Sequence, residues 1–574
     1  MHASVPSVEP RTVGQPKTIA GALDRAASSD RGVTFYSTRG VHECTLSYKE
    51  LRAHAVTMAR RLRGMGFEKG QRLGLVAETG TAFLIAFYAC QYAGLVPCPL
   101  PLTNYLGGKD AYIRRLTALA EAAQLAAIIA PASLQSCIAG VEKAAGIRAM
   151  TYDELQSAEL DDKEHAELSP LGADDPAYIQ YSSGSTADPK GILITQHALC
   201  ANVESIIVHG LKLRTTDRAF SWLPFYHDMG LVGFSIAAVF GLCSVDYISP
   251  SAFARRPRLW LELMSDNRST ITYSPTFGYR LAAQRYGSGE KPVNLSALRV
   301  AGVGGDIVRA DVLHYFADVT AETGFQPEAF LPSYGMAEAV LAVTFSDLET
   351  PPLIDHPKGM SNRYVGCGKP FPEIDLLIVD ENGAPAAEGV IGAIWLRGPN
   401  IIGAYLDNPA ATRAIQRNDG FIDSGDLGYL VDGQLVVTGR SKDLILHNGR
   451  NIWPQDVEWA AERVAPLKPG DVAAVGLIGD GEDQLVVLVQ CGLIEEEARA
   501  ALRQRVMSAV SEAVGVSAKV ALVGPRDLPL TSSGKLSRSR AKALFLQAGA
   551  AGAGSITEPQ DSVIKPSDQQ NERP

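Results

Sequence analysis

Tyr181-Ser-Ser-Gly-Ser-Thr-Ala-Asp-Pro-Lys-Gly191 joins two short apolar runs of strand character, Ala177–Tyr181 before it and Ile192–Thr195 after it. The loop carries four hydroxyl side chains (Ser182, Ser183, Ser185, Thr186), one glycine (Gly184) and a lysine (Lys190). Small hydroxyls and unobstructed backbone N–H groups are what a loop needs to cradle phosphate. It is not a Walker A loop, because GxxxxGK[ST] is absent and a strand follows where a helix should. Taken alone, such a loop reads as an ordinary turn more readily than as a phosphate site.

Outward from this loop, strand-like and helix-like segments alternate. Ser47 and Glu50 form a capping-box pattern ahead of a helix with Leu51, Ala55, Met58 and Leu62 on one face, ending near Gly66. Strand-like runs follow at Arg72–Ala77, Leu125–Ala130, Thr270–Ser274 and Leu298–Val303. This rhythm predicts α/β layers with largely parallel sheets. From about residue 375 to 440 the texture changes to short strands and tight turns: Asp375–Val379, Ile394–Arg397, and a hairpin over Leu430–Thr438 around Asp432-Gly433. A last α/β module has apolar runs at Val472–Ile478 and Leu485–Val489 and a helix with Leu502, Val506 and Val510 at i+4 spacing. The main domain boundary is expected at Gly439–Asp443.

At 574 residues the chain needs more than one core. Its 53 Lys+Arg against 63 Asp+Glu, a net charge of −10, give no case for nucleic-acid binding. Eight cysteines are scattered without a CxxC pair, a pattern of reduced thiols in a cytoplasmic protein. The N-terminus lacks the apolar core of a secretory signal, so the sequons at Asn267 and Asn294 read as chance. Phe83–Leu102 suits a buried helix running into a strand or loop, and Met229–Val245 is short and glycine-interrupted; neither reads as a membrane span.

Further motifs follow the Ser/Thr loop in order: Gly304-Gly305-Asp306, Ser333-Tyr334-Gly335-Met336-Ala-Glu338, Asp423-Ser-Gly-Asp426-Leu-Gly428, Gly439-Arg440-Ser-Lys442-Asp443 and Leu530-Thr-Ser-Ser-Gly-Lys535. The set resembles the adenylate-forming superfamily of acyl-CoA synthetases, peptide-synthetase adenylation domains and luciferases. Within it, Ser221-Trp-Leu-Pro-Phe-Tyr-His227-Asp-Met-Gly-Leu231 and Asn448-Gly-Arg-Asn-Ile-Trp-Pro-Gln-Asp456 resemble the fatty acyl-AMP ligases.

The resemblance implies a large N-terminal AMP-binding domain over residues 17–440, with stacked α/β sheets and a small β-barrel-like part. It also implies a small mobile C-terminal α/β lid over 441–548, and the compositionally biased ends, 1–16 and 549–574, read as disordered tails. The implied activity is ATP- and Mg²⁺-dependent conversion of a fatty acid to its acyl-adenylate, then transfer to the phosphopantetheine thiol of an acyl carrier protein, supplied in trans.

The resemblance also implies the residue roles. Ser182–Thr186 and Lys190 hold the phosphates. Gly304, Gly305 and Asp306 lie beside adenine, and the Ser333–Met336 motif supplies the aromatic that stacks on it. Glu338 binds Mg²⁺, with Thr186 contributing a hydroxyl. Asp426 holds the ribose hydroxyls and Arg440 belongs to the same nucleotide set. Lys442 is the hinge pivot, and Lys535 bridges carboxylate and α-phosphate. His227 positions or gates the acyl carboxylate, and Trp222, Phe225, Met229, Phe234, Phe277 and Met336 line an apolar acyl tunnel.

Two departures stand out. Ala187 replaces a glycine common in the superfamily. Only 19 residues, Leu348–Gly366, occupy the place where fatty acyl-AMP ligases carry an inserted segment linked to exclusion of CoA. A fatty acyl-CoA ligase is therefore the rival enzyme, and a non-catalytic acyl- or nucleotide-binding homologue the rival of another class. The latter predicts loss of polar groups, yet Glu338, Asp426, Arg440 and Lys535 all stand in place.

Overall fold

Ser47 stops the backbone from continuing as strand. Its Oγ accepts from the Glu50 N–H at 3.2 Å while the Glu50 carboxylate accepts from the Ser47 N–H at 2.9 Å, a closed capping box that starts the helix Tyr48–Gly64. Leu51, Ala55, Met58 and Leu62 form its buried face. It packs on helix Thr81–Ala93, which is buried from Phe83 to Ala93 except at Ile85. The computed structural model describes residues 16–102, 108–159, 167–181, 190–289, 291–357, 360, 362–447, 450–478, 483–531 and 535–550. The Ser/Thr loop 182–189, Asn448-Gly449, the loop 532–534 and most of both expected tails (1–15 and 551–574) lie outside the described residues. The last helix, Arg538–Ala550, runs into the stretch read as a C-terminal tail, because its Ala-rich sequence sustains helix. The chain divides into two compact units, Met1–Ser441 and Lys442–Pro574.

In the first unit a four-stranded parallel sheet runs in the order Val96–Leu100, Arg72–Val76, Ala127–Ala130, Arg148–Thr151. Pro97 and Pro99 lie in its edge strand, where a missing N–H costs no ladder bond. The larger sheet has nine strands. Its centre is parallel, in the spatial order Gly32–Tyr36, Ser244–Tyr247, Arg218–Ser221, Ile271–Ser274, Val300–Val303, Phe330–Gly335. Antiparallel strands His42–Ser47 and Ala342–Phe345 flank it, and Lys369–Pro370 completes it beyond the latter. Parallel strands buried on both faces require continuous apolar sequence, as in Val300–Val303, where all four residues are buried.

The starts of three neighbouring strands are pinned together. Asp217, 2% exposed, accepts from Arg299 Nε at 2.9 Å, Thr270 Oγ1 at 2.8 Å and the Arg214 N–H at 2.6 Å. These residues immediately precede or approach strands Arg218–Ser221, Ile271–Ser274 and Val300–Val303, so one carboxylate sets the entry points of all three.

The β-rich part is a four-stranded antiparallel sheet, Asp375–Val379, Gly392–Arg397, Ile422–Val431, Gln434–Arg440. Asp432 and Gly433 both take positive φ, +50° and +73°, as a two-residue hairpin turn requires. The barrel-like element is an open sheet: its last strand is continued by Cys367 and Gly368, which exchange backbone bonds of 2.7 and 2.8 Å with Leu435. Gly368 is obligatory there, since its φ is +80° and a Cβ would fall 1.9 Å from the Phe345 carbonyl.

The second unit holds a three-stranded sheet, Val472–Ile478, Asp483–Gln490 and Lys519–Val523. Helix Glu496–Val514 covers it with Leu502, Val506 and Val510. Among the described residues no helix is long and apolar enough to cross a membrane. Phe83–Leu102 resolves into helix Thr81–Ala93 and strand Val96–Leu100, and Met229–Val245 into helical turns through Phe240 followed by strand Ser244–Tyr247.

Asp217→Ala is expected to destabilise the first unit by about 3–5 kcal/mol, because it strands a buried guanidinium. Urea unfolding of the variant against the parent chain measures it.

Candidate functional site

Four neighbouring parallel strands of the large sheet release the chain at the same edge. After Arg218–Ser221 comes the turn with His227; after Ile271–Ser274, Thr276 and Phe277; after Val300–Val303, Gly304-Gly305-Asp306; after Phe330–Gly335, Met336 to Glu338. Loops at the carboxyl ends of parallel strands are where α/β folds build ligand sites.

The glycines of this edge are close-packed. A Cβ on Gly304 would lie 2.7 Å from Ser333 Oγ, and one on Gly305, at φ +78°, 2.9 Å from Met229 Cε. Gly335 leaves room for the Leu341 carbonyl, which a Cβ would meet at 1.8 Å. Beyond Glu338 the chain turns through Val340 at φ +66°, a strained conformation for a β-branched residue. Asn202 and Asn400 hold that turn. Asn202 donates to the Ala342 carbonyl at 2.7 Å and accepts from its N–H at 3.1 Å, and Asn400 donates to the Ala339 carbonyl at 2.9 Å.

Two carboxylates of the site are each held by a tyrosine. The Tyr334 hydroxyl donates to Asp426 Oδ2 at 2.8 Å, and Arg440 Nε lies 3.4 Å from Asp426 Oδ1. The Tyr405 hydroxyl donates to Glu338 Oε1 at 2.7 Å, and Lys190 Nζ sits 4.6 Å above the Tyr405 ring. Both phenols are pushed above the usual tyrosine range, first by burial and then by the neighbouring carboxylate, so both stay protonated as donors. Glu338 Oε2 takes no hydrogen bond among the described residues. No group of three or more His, Cys, Asp or Glu able to hold a metal occurs among them either. A divalent cation at Glu338 would thus draw on one carboxylate oxygen, with substrate phosphates and water completing its shell, as suits Mg²⁺. The backbone at Gly304-Gly305, which carries no side chain, and the Asp426 carboxylate suit a nucleoside in the same way.

His227 faces Asp228, with Nδ1 2.6 Å from Oδ1. The Met229 N–H lies 2.7 Å from the same Asp228 oxygen and 3.3 Å from His227 Nδ1, so both side chains meet one backbone donor at the start of the turn. The His227 ring is thereby held against this turn at Nδ1. Gln180 ties this turn to the strand leading into the Ser/Thr loop, its amide donating to the Tyr226 carbonyl at 3.0 Å and that of Tyr181 at 3.1 Å.

Of the candidate tunnel residues, Trp222 stacks on Phe253 at 3.9 Å and its indole nitrogen has no partner among the described residues. Met229 reaches Gly305, and Phe277 and Met336 are half-buried. Phe234 is buried. Phe225 packs on Phe83 at 5.4 Å and Tyr247 at 5.1 Å.

Lys442 and Lys535 belong to the second unit. Lys442 is exposed in the single turn Ser441–Asp443. Lys535 closes a turn with Thr531: its N–H donates to Thr531 Oγ1 at 3.1 Å and its carbonyl accepts from the Thr531 N–H at 2.7 Å. Arg538, three residues on, joins Asp443 at 2.9 Å and Glu458 at 2.6 Å.

Sequence reading missed Tyr405, Asn202, Asn400, Gln180 and the orienting role of Asp228. Only Asp228, adjacent to His227, carried a local signal; the others act on residues distant in sequence.

Gly335→Ala is expected to cost about 1–3 kcal/mol by overpacking against Leu341, measured by urea unfolding.

Comparison with known proteins accords with this geometry. The AMP-binding enzyme family matches residues 23–406. A Caulobacter vibrioides protein provisionally named an acyl-CoA synthetase is 42% identical over 562 residues, 94% of this chain and 98% of its own. The long-chain-fatty-acid–AMP ligase FadD26 of Mycobacterium marinum is 28% identical over 539 residues, 86% and 90% of the two chains. A structure from studies of fatty acyl-adenylate ligases of E. coli and L. pneumophila superposes with a TM-score of 0.88 at 38% identity, covering 94% of this chain and 100% of that one. With two-thirds of its length inside the family match and these relatives aligned nearly end to end, the chain belongs to the AMP-binding enzyme family.

Proposed function

We propose that this chain activates a medium- or long-chain fatty acid with Mg·ATP and passes the acyl group from the resulting acyl-adenylate to a phosphopantetheine thiol of an acyl carrier protein. What supports the reading most is the full-length likeness, at 38% identity, to a structure from studies of fatty acyl-adenylate ligases. The tyrosine-held carboxylates Asp426 and Glu338 at one sheet edge give it a chemical basis.

A carboxylate is a poor electrophile, since its leaving group would be oxide. In the first step a carboxylate oxygen bonds to the α-phosphorus of ATP, the bond from that phosphorus to the bridging oxygen breaks, and pyrophosphate departs with the electron pair. Several negative oxygens converge in that transition state, so the protein contributes positioning and positive charge. Bound Mg²⁺ supplies charge neutralisation at the phosphates. Asp426 accepts from the ribose hydroxyls, with Arg440 beside it. The Ser182–Thr186 loop and Lys190 would hold phosphate oxygens, and Glu338 with Thr186 would hold the metal. Gly304, Gly305 and Asp306, with the Ser333–Met336 strand end, pack against adenine. His227, beside Asp228, positions or gates the acyl carboxylate, and Lys535 spans carboxylate and α-phosphate. In the second step the thiolate bonds to the acyl carbon and AMP leaves; Lys442 is the pivot that lets the small unit exchange roles between steps. Unpaired, mostly buried cysteines suit work in the cytoplasm.

Free CoA as acceptor is the second reading. Among its described residues the Leu348–Gly366 stretch forms a two-residue ladder, Ile354–Asp355 with Tyr364–Val365, and a bridge from Gly366 to Val436.

Mass spectrometry of products from the chain with Mg·ATP and fatty acids of graded length, with CoA, with phosphopantetheinylated carrier, or with neither, tests both. Acyl-AMP that accumulates without acceptor and is consumed only by the carrier is the expected result. Efficient acyl-CoA formation would make the chain a CoA ligase, and no adenylate from any acid would end the fatty-acid reading. Lys535→Ala is expected to slow acyl-AMP formation by about 10²–10³-fold with unfolding behaviour unchanged.

A further inference from the structure

The segment from Asn400 to Leu406 lies between the two phosphate-facing parts of the site and is bonded to both. On one side Leu406 N–H donates to the Gly191 carbonyl at 2.8 Å, and Tyr405 bridges to Ile192 in the strand that leaves the Ser/Thr loop. On the other, Ile402 N–H donates to the Glu338 carbonyl at 2.7 Å and Asn400 donates to Ala339. The Tyr405 N–H is itself held by Thr412 Oγ1 at 3.0 Å, in a helix capped by Asn408. The backbone of Tyr405 is thus fixed from three directions before its side chain makes any contact.

That side chain spans the gap. Its hydroxyl donates to Glu338 Oε1 at 2.7 Å, and its ring face carries the Lys190 ammonium at 4.6 Å. The two contacts reinforce each other, because a carboxylate drawing on the hydroxyl proton enriches the ring in electron density and strengthens its hold on a cation. One carboxylate oxygen is occupied and aimed, which leaves Oε2 as the ligand oxygen.

We propose that Tyr405 is a positioning residue that orients Glu338 for the divalent cation and Lys190 for the nucleotide phosphates through a single phenol. The proposal rests on the adenylation reading given above. It assigns Tyr405 a metal-directed role without direct contact with the metal, in the manner of partners that orient coordinating side chains and alter affinity when removed.

The test is calorimetric titration of the full chain with Mn²⁺ in the presence of a non-hydrolysable ATP analogue, and with the analogue alone. Tyr405→Phe keeps the ring and removes the hydroxyl. It is expected to weaken Mn²⁺ binding on the order of 10- to 100-fold, with the affinity for metal-free analogue lowered less than about twofold because the ring under Lys190 is kept. Tyr405→Leu, which also removes the ring, is expected to weaken the metal-free analogue as well, by about two- to fivefold. In a Glu338→Gln background Tyr405→Phe should produce no further loss of Mn²⁺ affinity, since the group it orients is gone. Parental Mn²⁺ affinity in Tyr405→Phe, or an undiminished effect in the Glu338→Gln background, would overturn the proposal and leave the adenylation reading intact. A parent chain that binds neither the analogue nor Mn²⁺ with it would overturn both.

Discussion

The parallel direction of the central strands is the constraint on which the rest depends. A parallel strand must return by a crossover, so every strand leaves the sheet at the same edge. Four separated sequence motifs, around His227, Phe277, Gly305 and Glu338, are brought side by side for that reason alone. The opposite edge carries the load of keeping the strands aligned. Asp217 binds Arg299 and Thr270 at strand entry points, away from the chemistry. Stability and function are thus assigned to opposite ends of the same strands.

Both carboxylates of the site take a neutral phenol as close partner. A buried carboxylate needs a hydrogen-bond donor, and a cation would supply one at the cost of cancelling the charge. Tyr334 and Tyr405 satisfy one oxygen of Asp426 and of Glu338 without neutralising either, and burial keeps both phenols protonated. Arg440, half-exposed and 3.4 Å from Asp426, adds a screened contact only. Negative charge therefore remains available where ribose hydroxyls or a metal would approach. The strained turn at Val340, braced by Asn202 and Asn400, fixes the direction from which Glu338 points.

The layered α/β architecture was readable because its signals are local. The Ser47–Glu50 capping box, the 51/55/58/62 apolar face and the Asp432-Gly433 turn each fall within a few residues and each appears where expected. The open form of the antiparallel sheet was not readable, since it depends on Cys367 and Gly368 pairing with Leu435, some 67 residues away. The packing partners of Phe225 were not readable either, since Phe83 and Tyr247 come from distant elements.

The sequence by itself determined the residues available: Glu338, Asp426, Lys190 and His227 stand in motifs that resemble, in order, those of the adenylate-forming enzymes. Which groups hold those residues was decided by tertiary structure. Tyr405 lies 67 positions from Glu338, and Tyr334 lies 92 from Asp426. A tyrosine has no periodicity or spacing that marks it as a partner to a carboxylate so remote. Only the packing of the 400–406 segment and the end of strand Phe330–Gly335 against their neighbours brings each hydroxyl within hydrogen-bond reach, where distance and burial give it a role.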